Sequence, residues 1–228
     1  MGLDLAQTIM FYFLFCIGEL FFILIPLVIF KMQKKDLKYE FRHRIIPNER
    51  LNRPRKLRLL DISLGVLLGV GFYFLGNLMA SSIRKLIIQW KGEEFYHNAV
   101  AGSVNTIPPP PPPNPFLIWT IIVIGIILMF VTVSLSEEFL YRGVIMKEIG
   151  HKSRFWAIVV SSALFMIYHV FPGIVPWMTF VTFWSYYFVF GLILGGIVLI
   201  QKGDLVTAIV AHGVFDSILW VQIYLPYL

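Results

Sequence analysis

A small set of side chains in the second half of the chain has the types and spacing that hydrolysis requires. Glu137 and Glu138 precede Arg142 in Glu-Glu-Phe-Leu-Tyr-Arg, His169 closes Phe-Met-Ile-Tyr-His from Phe165, and His212 and Asp216 bracket His-Gly-Val-Phe-Asp. Glu138 and Arg142 lie four apart with the acid N-terminal, the favourable order for an ion pair on one helix face, while Glu137 points about 100° around the helix. Arg142 is therefore expected to neutralise Glu138 and leave Glu137 free. His212 and Asp216 share a face by the same spacing, and Phe165 lies one turn before His169, where its ring can wall the imidazole. A carboxylate taken out of water is a stronger base than one in it. Set against an imidazole, it can orient and deprotonate a water for attack on a carbonyl, and a second imidazole can donate to the oxyanion. The same donors, Glu137, His169 and His212, also suit a three-ligand open zinc site, with Asp216 as fourth ligand or as orienter of His212. Both schemes hydrolyse an amide.

These residues sit in apolar surroundings, and the elements that must position them are membrane spans. The run from Phe116 to Leu135 is long enough to cross a bilayer before the first Glu appears. Insertion scales put a charge deep in a bilayer at about 2.5 to 3.5 kcal/mol, so such groups need a task or a partner. This third segment is expected to continue as helix to Gly150. Phe155 to Phe171 reads as a fourth span, Trp177 to Ile200 as a fifth and Leu205 to about Leu225 as a sixth. Earlier come residues 8 to 30, interrupted by Glu19 and Pro26, and a Gly-rich second span from 59 to about 82 carrying Gly65, Gly69, Gly71 and Gly76. At about 1.5 Å per residue, Glu137 lies about 19 Å before Gly150, His169 about 24 Å after Ser153, His212 about 12 Å beyond Asp204 and Asp216 about 18 Å beyond it. All four can meet in one layer.

Composition agrees with an all-α polytopic membrane bundle of about six spans in one domain, residues 1–228. Of 228 residues, 58% are hydrophobic and only 14% charged, and the mean hydropathy is +0.77; a soluble domain so apolar would expose aggregating patches. The net charge of +6 is concentrated between residues 31 and 58, with eleven Lys or Arg against Asp36, Glu40 and Glu49. The positive-inside rule makes this loop cytoplasmic, lying in solvent against anionic lipid heads rather than binding nucleic acid. Residues 91–115 form an outer loop ending in the proline run Pro108–Pro113, a polyproline II spacer about 19 Å long. The first run reads as a retained span rather than a cleaved signal, and no lipidation signal is evident. Cys16, the single cysteine, has no basic neighbour to activate it and is expected to pack. Glu19 stands alone in its span, and its use is open.

Taken in order, Glu-Glu-x-x-x-Arg at 137–142, Phe-x-x-x-His at 165–169 and His-x-x-x-Asp at 212–216 resemble the three motifs of the CAAX protease and bacteriocin-processing family of intramembrane endopeptidases. The likeness covers roughly residues 116–222. It implies Glu137 as the water-activating base with His169, Glu138 and Arg142 in support, and His212 at the oxyanion. The family is described both as glutamate-dependent and as metalloprotease, which leaves zinc open. In the family the third motif often ends in Asn, an amide that can donate to an oxyanion; Asp216 can donate only when protonated.

The roles implied by the resemblance are cleavage of the last three residues from a prenylated CAAX protein, processing of secreted peptides, or self-immunity to bacteriocins. A pocket open to lipid and to the cytoplasmic face of the cell membrane would suit a lipidated C-terminus, with the basic loop attracting its carboxylate. Two competing readings are a proton- or cation-coupled transporter using the buried Glu and His as a relay, and a non-catalytic membrane scaffold. Neither inverted repeats nor paired broken helices support transport.

Overall fold

The computed structural model describes residues 10, 14–100, 115–171 and 175–227. Every regular element among them is helical: α1 Leu14–Met32, α2 Leu37–Ile45, α3 Asn48–Leu51, α4 Arg55–Lys91, α5 Glu93–Val100, α6 Pro115–Gly150, α7 Arg154–His169, α8 Trp177–Ile200 and α9 Val206–Tyr224. Five of these, α1, α4, α6, α8 and α9, are long and apolar enough to cross a membrane. Large apolar side chains such as Leu67, Phe74, Trp119 and Ile127 stand exposed along them, as lipid-facing positions should. The protein is a polytopic helical membrane protein.

The expected fourth span is present as α7 but is shorter than expected. Its 16 residues reach about 24 Å, less than the roughly 30 Å hydrocarbon core. It starts where the Ser153 side chain accepts from the Trp156 N–H and ends at His169, with Pro172 following closely in the sequence; an approaching proline disfavours further helix. The second span is longer than expected. Pro54 immediately precedes it, and no helix breaker intervenes before Gly92, whose φ of 89° closes it. The polar segment after it begins with α5; the proline run lies outside the described residues.

The basic loop is solvated only in part: Lys31, Lys34, Lys35, Lys38, Arg42, Arg55 and Lys56 are exposed, and its four other cations are not. Its helices α2 and α3 are fastened to the bundle through buried pairs. Arg44 is 5% exposed; its guanidinium donates to Gly143 O at 2.9 Å, pairs with Glu148 at 2.6 Å and Glu40 at 3.0 Å, and lies over the Phe30 ring. Arg58 and Arg50 reach the fully buried Asp204 at 3.3 and 3.6 Å, Arg53 pairs with Asp61, and the Leu205 N–H donates to Ile45 O at 2.9 Å. Arg44, Arg50, Arg53 and Arg58 are thus structural.

Small residues set how closely the site helices approach. On α4, a Cβ at Gly65 would come within 2.9 Å of Thr207 O and one at Gly69 within 2.6 Å of Ala211 O, so α9 is drawn against α4 just beside His212. Gly191 on α8 meets Ser162 of α7 in the same way. Gly71, on the other face of α4, meets nothing within 4 Å. Gly69→Val should therefore destabilise by about 1 to 3 kcal/mol through overpacking, read as a lower thermal midpoint in detergent, whereas Gly71→Val should leave the midpoint in place.

Candidate active site

The third span carries its acids where its own backbone is irregular. Within α6, a short α-helical piece, Leu135–Glu138, lies between π-helical stretches at Met129–Ser134 and Phe139–Met146. A π turn is rare, frequently marks functional sites, and frees or displaces carbonyls. Side-chain hydroxyls satisfy them: Ser134 Oγ donates to Met129 O at 2.9 Å, and Ser161 Oγ of α7 donates to Tyr141 O at 2.7 Å. The latter bond locks the widened turn onto the helix that carries His169.

Glu138 and Arg142 form the expected i,i+4 pair, at 2.9 Å with both side chains wholly buried. The same Glu138 oxygen also receives His212 Nδ1 at 3.0 Å. A carboxylate has no proton to give here, so each partner must be the donor. Arg142 Nη2 further contacts Gly191 O at 3.4 Å, and its guanidinium lies 4.5 Å over the Phe165 ring. Phe165 is 0% exposed and packs against both imidazoles as well, with ring centroids 4.3 Å from His169 and 5.6 Å from His212.

Glu137 points away from the pair, toward the two imidazoles. Its Oε2 lies 3.6 Å from His169 Nε2 and 4.0 Å from His212 Nε2, and has no hydrogen-bond partner among the described residues. His169 Nδ1 is 3.0 Å from Phe165 O; a carbonyl only accepts, so Nδ1 carries the proton and Nε2 presents its lone pair toward Glu137. Tyr187 also stacks on the His169 ring at 4.5 Å. Asp216 Oδ2 stands 3.3 Å from His212 Nε2, without the geometry of a hydrogen bond. The structure thus brings Glu137, Glu138, Arg142, Phe165, His169, His212 and Asp216 into one cluster. Its access is through His169 and Asp216, whose side chains are 18% and 16% exposed, while Glu137 and His212 are 1% and 2% exposed.

Sequence reasoning missed two residues that hold the site and left the use of a third open. Ser161 and Tyr187 give no local signal, being a small polar and an aromatic residue on apolar helices. Glu19 did give one, as an acid in mid-span. It is 2% exposed and accepts the hydroxyl hydrogen of Tyr168, the neighbour of His169.

Fold and site define a helical membrane protein with a buried glutamate between two histidines. Residues 118–218 match the family described as type II CAAX prenyl endopeptidase Rce1-like, a segment that includes all three motifs. That segment is similar to the Rce1-like family, in agreement with the family that the three motifs resemble. No curated protein and no solved structure matches the chain.

The doubly bonded Glu138 makes the two charged partners separable by experiment. Arg142→Ala and Glu138→Ala should each cost about 3 to 5 kcal/mol, because removing one member of a buried pair strands the other charge. Thermal unfolding in detergent should show both losses, and Glu138→Gln, which still offers an oxygen to Arg142 and His212, should recover part of the lost stability.

Proposed function

We propose that the chain is an intramembrane endopeptidase in which Glu137 and His169 activate a water and His212 receives the oxyanion. The observation that carries the reading is Glu137 Oε2, buried, unpartnered among the described residues, and facing both imidazole Nε2 atoms. A water between Glu137 and His169 gives one proton to the carboxylate and directs the other to the His169 Nε2 lone pair. Its oxygen then attacks the peptide carbonyl. The tetrahedral oxyanion accepts a hydrogen bond from His212 Nε2–H, while Glu138 holds Nδ1–H and fixes the ring. Collapse of the intermediate breaks the C–N bond, and the leaving amine takes the proton that Glu137 received. Asp216, close to His212 Nε2 but outside hydrogen-bond geometry, balances the charge on the ring and leaves its N–H available.

The same residues fit a zinc ion. Glu137, His169 and His212 offer ligand atoms all within 4.8 Å of one another, and Phe165 O and Glu138 orient the two rings through Nδ1 as outer-shell acceptors do. Bound there, the ion would polarise the carbonyl and acidify the water. Asp216 would then stand beside it as a further ligand or as the partner of His212.

A prenylated CAAX-type C-terminus on a protein or peptide is the substrate we favour, reached from the cytoplasmic side of a cell membrane. The family supports the substrate class. Access from that side is supported by Arg44, which docks the basic segment on Gly143 O, six residues from Glu137 and so about 9 Å along the helix.

Purified protein should cleave a prenylated CAAX peptide. Glu137→Gln and His169→Ala should lower the rate by at least about 10²-fold, the range of a lost general base, with an unchanged thermal midpoint for Glu137→Gln. Retained cleavage by Glu137→Gln would overturn the reading. Chelation followed by metal analysis separates the two schemes: water activation by Glu137 alone predicts full activity from metal-free protein, and the zinc scheme predicts loss restored by added zinc. Full activity in Asp216→Asn would remove the carboxylate from any essential ligand role.

A further inference from the structure

The buried acid on the first span has no part in the chemistry so far described, and it lies on a helix outside the segment that matches the family. Glu19 Oε1 accepts from Tyr168 Oη, across 149 positions of sequence. Around the same place Phe22, one turn along α1, packs edge-on against Tyr168 at 4.8 Å and against Tyr141 at 6.0 Å. Tyr168 in turn meets the His169 ring edge-on at 5.3 Å. Tyr168 on α7 touches Glu19, and Glu137 on α6 with His212 and Asp216 on α9 lie within its electrostatic reach.

His169 needs such support because of its position. It is the last residue of α7, and Val170 after it leaves helical geometry, with φ −133° and ψ 47°. Helix ends fray, and the ring of a terminal residue inherits that freedom. Three restraints oppose it: the Nδ1–H bond to Phe165 O, the stack on Tyr187 and the contact with Tyr168. The first lies within α7 and cannot fix where the helix end itself sits. Tyr168, through its hydroxyl, can. A buried carboxylate is a costly acceptor for one phenol, and an apolar residue would pack there at lower cost.

We propose that Glu19 is a positioning residue for the peptidase chemistry: by holding the Tyr168 hydroxyl it fixes the end of α7 and keeps His169 Nε2 aimed at Glu137. The inference rests on the peptidase reading for its kinetic consequence but not for its structural one. The first span thereby becomes part of the active site without touching substrate.

The test compares Glu19→Gln, Glu19→Ala, Tyr168→Phe and the Glu19→Ala/Tyr168→Phe double variant, each assayed on the prenylated peptide and by NMR of the ¹⁵N-labelled His169 imidazole. Gln keeps an acceptor oxygen, so Glu19→Gln should stay within about three-fold of wild type. Glu19→Ala and Tyr168→Phe should each lose about ten-fold in kcat with KM unchanged, a barrier increase of about 1.4 kcal/mol. The double variant should lose no more than either single, and the His169 resonances should broaden or shift alike in all three. Wild-type kcat in Tyr168→Phe, additive losses in the double variant, or a loss in Glu19→Gln equal to that in Glu19→Ala would each overturn the proposal. If wild-type protein cleaves nothing, the peptidase reading fails by itself, and the imidazole spectra still decide whether Glu19 positions His169.

Discussion

Glu138 Oε1 accepts from Arg142 at 2.9 Å and from His212 at 3.0 Å, and all three side chains are shut away from solvent. The rest of the structure depends on this bridge. It neutralises the one permanent cation in the site, ties α9 to α6, and fixes which nitrogen of His212 faces the site. Arg142 is the largest wholly buried side chain; unpaired, it would have to find water, and the bundle would open where the histidines meet. Phe165 beneath the guanidinium completes the arrangement by packing against the cation and both imidazoles. Only with Glu138 so engaged does its neighbour Glu137 remain as an uncommitted base.

Helical periodicity made part of this legible. Four-residue spacing gave the Glu138–Arg142 pair and the different direction of Glu137, and depth along each helix allowed Glu137, His169, His212 and Asp216 to meet in one layer. Periodicity describes one helix at a time, however, and says nothing of how two helices are turned toward each other. The second bond of Glu138, to a histidine 74 positions away, therefore could not be read. Neither could Glu19 on Tyr168, although the cost of an acid in mid-span marked Glu19 as unexplained. The π turns of α6 were hidden for the same reason, since one of their displaced carbonyls is satisfied by Ser161 from another helix.

Charge counting was incomplete in the basic segment for a related physical reason. Seven of its eleven cations are exposed, but Arg44, Arg50 and Arg58 read the same way because their partners, Glu148 and Asp204, lie far along the chain. Once paired, Arg44, Arg50, Arg53 and Arg58 act as fasteners that seat α2 and α3 on the bundle. The basic segment and the first span, both outside the matched residues, thus bear on the site helices: Arg44 grips α6 at Gly143, and Glu19 holds the hydroxyl of Tyr168, the neighbour of His169.

The central claim is that Glu137 works on a water and does not itself attack the carbonyl. Single-turnover cleavage of the prenylated peptide in ¹⁸O-labelled water tests this most directly, with mass spectrometry of both product and enzyme. The account predicts one ¹⁸O in the new C-terminal carboxylate of the product and none in the tryptic or chymotryptic peptide containing Glu137. Label in the Glu137 carboxylate, the mark of an acyl-enzyme anhydride opened by water at the enzyme side, would contradict it.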